Sequence, residues 1–213
     1  MNPATLHFQV ERPLTSGGDG VPWGEADIDV QHDRRGWPGL RRSTLNARLG
    51  ESCLEFLPVR PDLAAAAVRL FGRPGGHDDD RVLSVRDARL PAQVRRVLLA
   101  AMTGVDATSR IAAAEALDAF TLLVTTTAVD EHGAPLRGSR RDVRAVRPGV
   151  LFVAELRWVR DPEPDELTCL ARAVLGLHQI GLGGTRGRGL VTATLDGDPA
   201  RTRELAGLDE RWL

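Results

Sequence analysis

The feature that most constrains this chain is its closing strand–helix–strand run. From Gly149 to Val159 the residues alternate, with Phe152, Ala154, Leu156 and Trp158 on one face, the period of a half-buried strand. From about Pro164 to Ile180 the period becomes helical. Leu167, Leu170, Ala171, Val174 and His178 share one face, and Pro164 opens the helix. Asp165 and Glu166 suit the positive end of its dipole, and Gly181 ends it. His178, on the apolar face, reads as a hydrogen-bonded core residue. A last strand runs from about Leu190 to Leu195.

The first half carries a similar unit. Thr5 to Arg12 alternates, with Leu6, Phe8 and Val10 on one face. A turn-rich stretch, Pro13 to Gly20, leads into an acidic segment ending at Asp33. Ser43 can cap a helix in which Leu45, Leu49 and Cys53 recur every four residues. A second short helix is predicted from Pro61 to Phe71, with Gly72 at its end. Residues 73–80 read as a loop, 82–90 as a strand, and 91–102 as a short helix or turn. Phe120 to Val129 reads as a strand. Residues 131–148 read as a mobile connection punctuated by Gly133, Pro135, Gly138 and Pro148.

With the middle set aside, the order is strand, helix, strand, strand, helix, strand. That predicts an α+β chain, a ferredoxin-like or RRM-like βαββαβ sheet, with residues 91–148 inserted between the second and third strands. The aromatic ribonucleoprotein signatures are missing.

Composition narrows the function. The chain has 213 residues and a net charge of -1, so no whole-molecule field draws in polyanions, and contacts with nucleic acid must come from local patches. All 28 basic residues are Arg, each a planar fork suited to bidentate phosphate contact and base stacking. Only Cys53 and Cys169 are present, which excludes a disulfide framework and a four-cysteine zinc site. No apolar run has membrane-spanning length and no secretory signal is visible, so the expected setting is cytoplasmic.

Four segments could carry chemistry. Gly181-Leu182-Gly183-Gly184-Thr185-Arg186-Gly187-Arg188-Gly189 removes side chains where a backbone or phosphate could approach. It lacks the Gly-Lys-Ser/Thr ending of a phosphate loop, and it follows a helix instead of a strand, unlike a dinucleotide turn. Gly36 to Arg48 enters the first helix, where backbone N–H groups could meet phosphate beside Arg41, Arg42 and Ser43. Glu25, Asp27, Asp29, His32 and Asp33 form an acidic cluster. Carboxylates two apart on an extended chain point the same way and could hold one Mg²⁺, although such clusters are commonly just solvated. Arg137, Arg140, Arg141, Arg144 and Arg147 against Asp142 read either as a solvated face or as a phosphate-binding arm. Asp78-Asp79-Asp80 fits no calcium loop and reads as surface. No histidine pair has metal-ligand spacing, and no nucleophile motif is present.

Together these segments resemble the RAMP superfamily of CRISPR-associated proteins, and within it the crRNA-backbone subunit of type III effector complexes. Gly36-Trp37-Pro38-Gly39-Leu40-Arg41-Arg42-Ser43-Thr44-Leu45-Asn46-Ala47 is similar to the family's G-x-P-x-I-P-G-S-S-L-K-G stretch. Arg41-Arg42 replaces its second Pro-Gly, Asn46 its Lys and Ala47 its last Gly. Val85-Arg86-Asp87-Ala88 is similar to its second-strand motif. Val105-Asp106 with Arg110-Ile111-Ala112 is similar to its Ile-Asp-Arg region. Val146-Arg147-Pro148-Gly149-Val150-Leu151-Phe152 resembles the approach to its third strand, and Gly183 to Val191 its closing glycine-rich loop.

The resemblance implies one domain, with a core at about 1–103 and 148–213 and a thumb within about 104–147. It implies binding of crRNA and target RNA and assembly with copies of itself and other effector subunits, in antiviral defence. Arg41, Arg42, Ser43, Arg48, Arg137, Arg140, Arg141, Arg144, Gly183, Gly184, Arg186, Gly187 and Arg188 would bind RNA. Asp27 is implied as the residue that cuts target RNA with Mg²⁺ or another divalent cation, with Asp29 in reserve. Asp33 matches the Asp before the Gly-x-Pro motif. The alternatives are the same scaffold without catalysis, a guide-processing endoribonuclease using a histidine such as His32, and a metal hydrolase built on Asp27, Asp29 and Asp33.

Overall fold

The computed structural model describes residues 1–17, 26–73, 81–104, 110–128, 130–132, 134 and 136–208. Among these, the chain is a mixed α+β structure with antiparallel sheets and six α-helices. None of the helices is long and apolar enough to cross a membrane.

Strand β1 (Thr5–Val10) is set by its alternation: Leu6, Phe8 and Val10 are fully buried while Gln9 is exposed. A two-residue strand, β2 (Gly39–Leu40), precedes α1 (Arg42–Phe56). A 3-10 turn at Pro61–Leu63 leads into α2 (Ala64–Phe71). The single strand expected at 82–90 is two short pieces, β3 (Leu83–Val85) and β4 (Ala88–Arg89). Then come α3 (Ala92–Thr103), α4 (Ala113–Phe120), β5 (Thr121–Thr126) and β6 (Arg141–Val146). The chain closes with β7 (Leu151–Trp158), α5 (Pro164–Leu175), β8 (Val191–Leu195) and α6 (Pro199–Leu205).

The main sheet runs β2–β4–β7–β1–β8, with β3 also on β7, and its strand pairings are antiparallel. Phe8 pairs in register with Phe152, and their rings stack at 5.3 Å. The inward residues of β1, β7 and β8 form one core with Leu45, Leu49 and Cys53 of α1 and Cys169, Leu170, Ala173 and Val174 of α5. Burying each such Leu or Phe is worth about 1.5–3 kcal/mol. The alternate strand residues Gln9, Glu155, Arg157 and Thr192 are exposed. Both cysteines are free and buried; a hydrogen bond with Cys169 and burial push the Cys53 thiol up, so it stays protonated at neutral pH.

Three sequence expectations change here. Helix α5 stops at Leu175, capped by Gly176, and the chain continues through a turn to Gln179, which bridges Leu190. His178 is therefore exposed, not in the core; its backbone carbonyl accepts the Val191 N–H at 2.9 Å. The α1 N-cap is Arg41 and not Ser43, which lies exposed inside the first turn; the Asp87 carboxylate accepts the Arg42 N–H at 2.9 Å instead. The connection read as mobile holds β6, which pairs with β5 over Thr121↔Val146 to Thr126↔Arg141 as a separate two-stranded hairpin. Glu25, Asp78, Asp79, Asp80, Asp106, Gly133 and Pro135 lie outside the described residues.

Candidate nucleic-acid interface and acidic loop

The acidic loop is docked against the free edge of β6. The Asp27 N–H donates to the Asp142 carbonyl at 2.7 Å, and the Asp142 N–H donates to Asp27 Oδ2 at 2.7 Å. One residue on, Ile28 bridges Val143 in parallel, and its carbonyl accepts the Arg144 N–H at 2.8 Å. Leu14 covers the next position through paired bonds with Val146. The edge of β6 is thus capped by loop backbone, which blunts it against stray pairing.

Asp27 and Asp29 are not presented together: the chain bends at Asp27, whose side chain is exposed, and Asp29 is turned inside. Asp27 is exposed; Asp29 is 5% exposed. Asp29 Oδ1 lies 3.3 Å from Arg144 Nε and accepts the Val30 N–H at 2.8 Å, and Oδ2 lies 3.9 Å from His32 Nε2. Arg144 is not part of an outward arm. It is 7% exposed, and its Nη1 donates to Asp118 and, at 3.1 Å, to Thr121 Oγ1. The other arginines of that stretch, Arg137, Arg140, Arg141 and Arg147, are exposed.

Asp33 organises the next turn. Its carboxylate accepts the N–H groups of Arg35 at 2.9 Å and Trp37 at 3.1 Å. Gly36 sits at φ +75° against α4, where a Cβ would fall 1.9 Å from the Ala113 carbonyl oxygen, so only glycine fits. His32 faces the protein: Nδ1 lies 3.0 Å from the Asp33 carbonyl. Gln31 Oε1 accepts the Arg41 N–H at 2.8 Å, tying the acidic loop to the start of α1. Arg41, Arg42 and Ser43 are exposed there.

The glycine-rich loop closes onto residues 13–15. Leu182 N–H donates to the Thr15 carbonyl at 2.7 Å and Gly189 N–H to Pro13 at 2.9 Å. Arg48 of α1 reaches the Gly181 carbonyl at 3.5 Å and pairs with Glu51 at 2.7 Å. Gly183 and Gly184 are half-buried, Gly187 is exposed, and Arg186 stands outward beside a half-buried Arg188. Gly189, at φ +69°, would place a Cβ 1.9 Å from the Ile180 carbonyl oxygen, whereas Gly187, at φ +68°, has open space. Gly189→Ala is therefore expected to cost at least about 2 kcal/mol, strain plus a backbone clash, against about 1 kcal/mol for Gly187→Ala. Denaturant midpoints of the two variants measure it; equal losses would refute a tightly closed loop.

Sequence reasoning missed Asp142 as a neighbour of Asp27. The Asp142 carboxylate accepts Thr125 Oγ1 at 2.5 Å and lies 3.5 Å from Arg140. Among the described residues, no three His, Cys, Asp or Glu side chains converge to hold a metal ion. Asp27, Asp29 and Asp33 are thus not brought to one point. Among the described residues, the arrangement sets the exposed Asp27 carboxylate on the edge of β6, a strand buried from Val143 to Val146 and flanked by the exposed Arg137, Arg140, Arg141 and Arg147.

No family model and no curated protein sequence matches the chain. Its fold does match solved structures. A chain in the cryo-EM structure of the type III-B Cmr-beta bound to cognate target RNA superposes with a TM-score of 0.66 over 96% of this chain and 99% of that one, at 13% identity. The apo state of the type III-B Cmr-beta gives a TM-score of 0.66 over 92% and 97%, again at 13% identity. The likeness is one of fold and runs nearly end to end.

Proposed function

We propose that this chain is a backbone subunit of a type III CRISPR effector complex, built to hold a guide crRNA and to cut target RNA beside Asp27. In this reading the antiparallel sheet with α1 and α5 on one face is a ferredoxin-like unit, and residues 104–147 are its insertion. The β5–β6 hairpin is the thumb that wedges between guide and target and turns out one target nucleotide. Arg137, Arg140, Arg141 and Arg147 contact phosphate, as do Arg41, Arg42 and Ser43 at the start of α1. Arg48, Arg186 and Arg188, with Gly183, Gly184 and Gly187, line a second stretch of RNA. The partners are crRNA, target RNA, other effector subunits and copies of the same chain, in the cytoplasm. The observation that carries the reading is the docking of an exposed Asp27 on the outer edge of β6 through Asp142, which pairs with Thr125 toward the loop end of the hairpin. The end-to-end fold likeness to a chain from a complex bound to target RNA supports it.

The chemistry is in-line attack of the neighbouring 2′-OH on phosphorus. Helical RNA holds that oxygen out of line, so the turned-out nucleotide is what permits the geometry. Asp27 takes the 2′-OH proton; the 2′-O–P bond forms and the P–O5′ bond breaks. The products are a 2′,3′-cyclic phosphate and a 5′-OH whose proton comes from water. Asp27 is also the side chain that would hold a divalent cation, its other ligands being RNA phosphates and water, as suits Mg²⁺. The cation, when bound, supplies charge neutralisation at the phosphate.

One observation favours a second reading, the same scaffold without catalysis: among the described residues, Asp27 belongs to no group of three side chains able to hold a metal ion. The guide-processing alternative has no comparable support, since both His32 ring nitrogens face protein groups. The first test is sequencing of RNA that copurifies with tagged protein expressed beside its genomic neighbours. Short RNAs with CRISPR-repeat ends are expected. RNA without repeat sequence, or none, sinks the backbone reading in both forms.

A further inference from the structure

We infer that Arg144 is a positioning residue: a buried latch that fixes the acidic loop to the hairpin and so sets where Asp27 stands. The inference rests on the reading of Asp27 as the cutting residue. Arg144 joins four separate segments. Its guanidinium meets Asp29 of the loop at 3.3 Å, Asp118 of α4, and Thr121 of β5 at 3.1 Å. Its backbone joins two further points, with its N–H on Ile28 of the loop at 2.8 Å and its carbonyl accepting Thr15 Oγ1 of the preceding segment at 3.0 Å.

The side chains of Arg144 and Asp29 are 9% and 4% exposed. A charge pair withdrawn from water this far is held by geometry and resists rearrangement, because either partner left alone is a buried charge. Asp29 is two residues from Asp27, so anchoring Asp29 fixes the backbone that carries Asp27. The bonds between Asp27 and Asp142 complete the dock. Loop residues 27–28 therefore move as a third strand of the hairpin. A displacement of the hairpin on meeting target RNA reaches Asp27 directly.

The test uses guide-loaded complex made by co-expression with its genomic neighbours. Wild type is compared with Arg144→Met, Arg144→Lys and Asp29→Asn. Asp29→Asn keeps an oxygen for the Val30 N–H and removes the charge that faces Arg144 and, at 3.9 Å, His32 Nε2. Hydrogen exchange is followed at the Asp27 and Asp142 amides, alongside kcat and KM for target cutting. Arg144→Met and Asp29→Asn are expected to raise exchange at both amides by about tenfold or more. They are expected to lower kcat about 100-fold, the cost of misplacing a reacting group by about 1 Å, with KM nearly unchanged. Arg144→Lys, which keeps the charge, should fall between them and wild type.

Unchanged exchange in both variants overturns the latch. Raised exchange with an unchanged kcat overturns the positioning role. A wild-type complex that does not cut overturns the catalytic reading and the positioning role with it, while the exchange arm still decides whether Arg144 holds the loop.

Discussion

Asp27→Ala is expected to leave guide loading intact and to lower target cutting about 10²–10⁴-fold, the range that one positioned proton acceptor supplies. The argument turns on what else Asp27 does. Its carboxylate also accepts the Asp142 N–H, so the alanine variant removes a docking bond together with the chemistry. Asp27→Asn separates the two. The asparagine carbonyl still accepts from Asp142, so the loop stays docked, but an amide takes no proton from a 2′-OH. Both variants should therefore lose cutting to a similar extent, and Asp27→Asn should show wild-type hydrogen exchange at Asp142. Cutting assays on guide-loaded complex, with the cyclic phosphate end mapped on the product, measure this. If Asp27→Asn cuts as wild type does while Asp27→Ala does not, Asp27 is a docking residue and does not take the proton. If neither variant changes the rate, the cutting is not done here.

How much of this could be read from residues alone depended on whether a local period survived. It did in β1, β7 and β8, where Leu6, Phe8, Phe152, Ala154, Val191 and Leu195 alternate into one core. It did not in β6. Val143, Arg144, Ala145 and Val146 are buried consecutively, and the arginine is inside only because Asp29 and Asp118 reach it from elsewhere in the chain. A charged residue in a buried position looks like an exposed one until its partners are known. Helix α5 shows the opposite failure. Leu177 and Ile180 stay buried after the helix has ended, so the apolar spacing runs on past the helix. The site divides in the same way. The acidic loop and the arginines of the hairpin stand out as composition. The meeting of Asp27 with Asp142, 115 residues apart, leaves no local trace. Nor does the docking of Arg42 on Asp87, which replaces the expected Ser43 cap.

Glu166→Gln is expected to destabilise the protein at neutral pH by about 3 kcal/mol, the low end for removing one partner of a buried pair. Glu166 is fully buried at the start of α5, a place where sequence alone would put a solvated acid. It is ionised because donors surround it: Arg69 Nε at 2.6 Å, Arg160 at 2.6 and 2.9 Å, and the Glu163 N–H at 2.9 Å. Burial pushes its pKa up, but the hydrogen bonds from Arg160, Glu163 and Arg69 outweigh that and hold it down at about 2, below the ordinary 4.5. The cost of the variant stays near the low end because Arg69 keeps Asp165 and Glu163, and Arg160 can turn into water. The pH dependence follows from the sign of the shift. A carboxyl whose folded pKa lies below its unfolded one stabilises above about pH 4.5, and that contribution is lost as pH falls toward about 2. The stability gap between wild type and Glu166→Gln should therefore be full at pH 7 and close steadily below pH 4.5. At neutral pH the gap corresponds to roughly 6–12 °C in melting temperature for a chain of this size. Thermal melts of both proteins between pH 7 and 3 check it. A gap that does not narrow in acid would mean that the ionised carboxylate is not what joins α5 to Arg69 and Arg160.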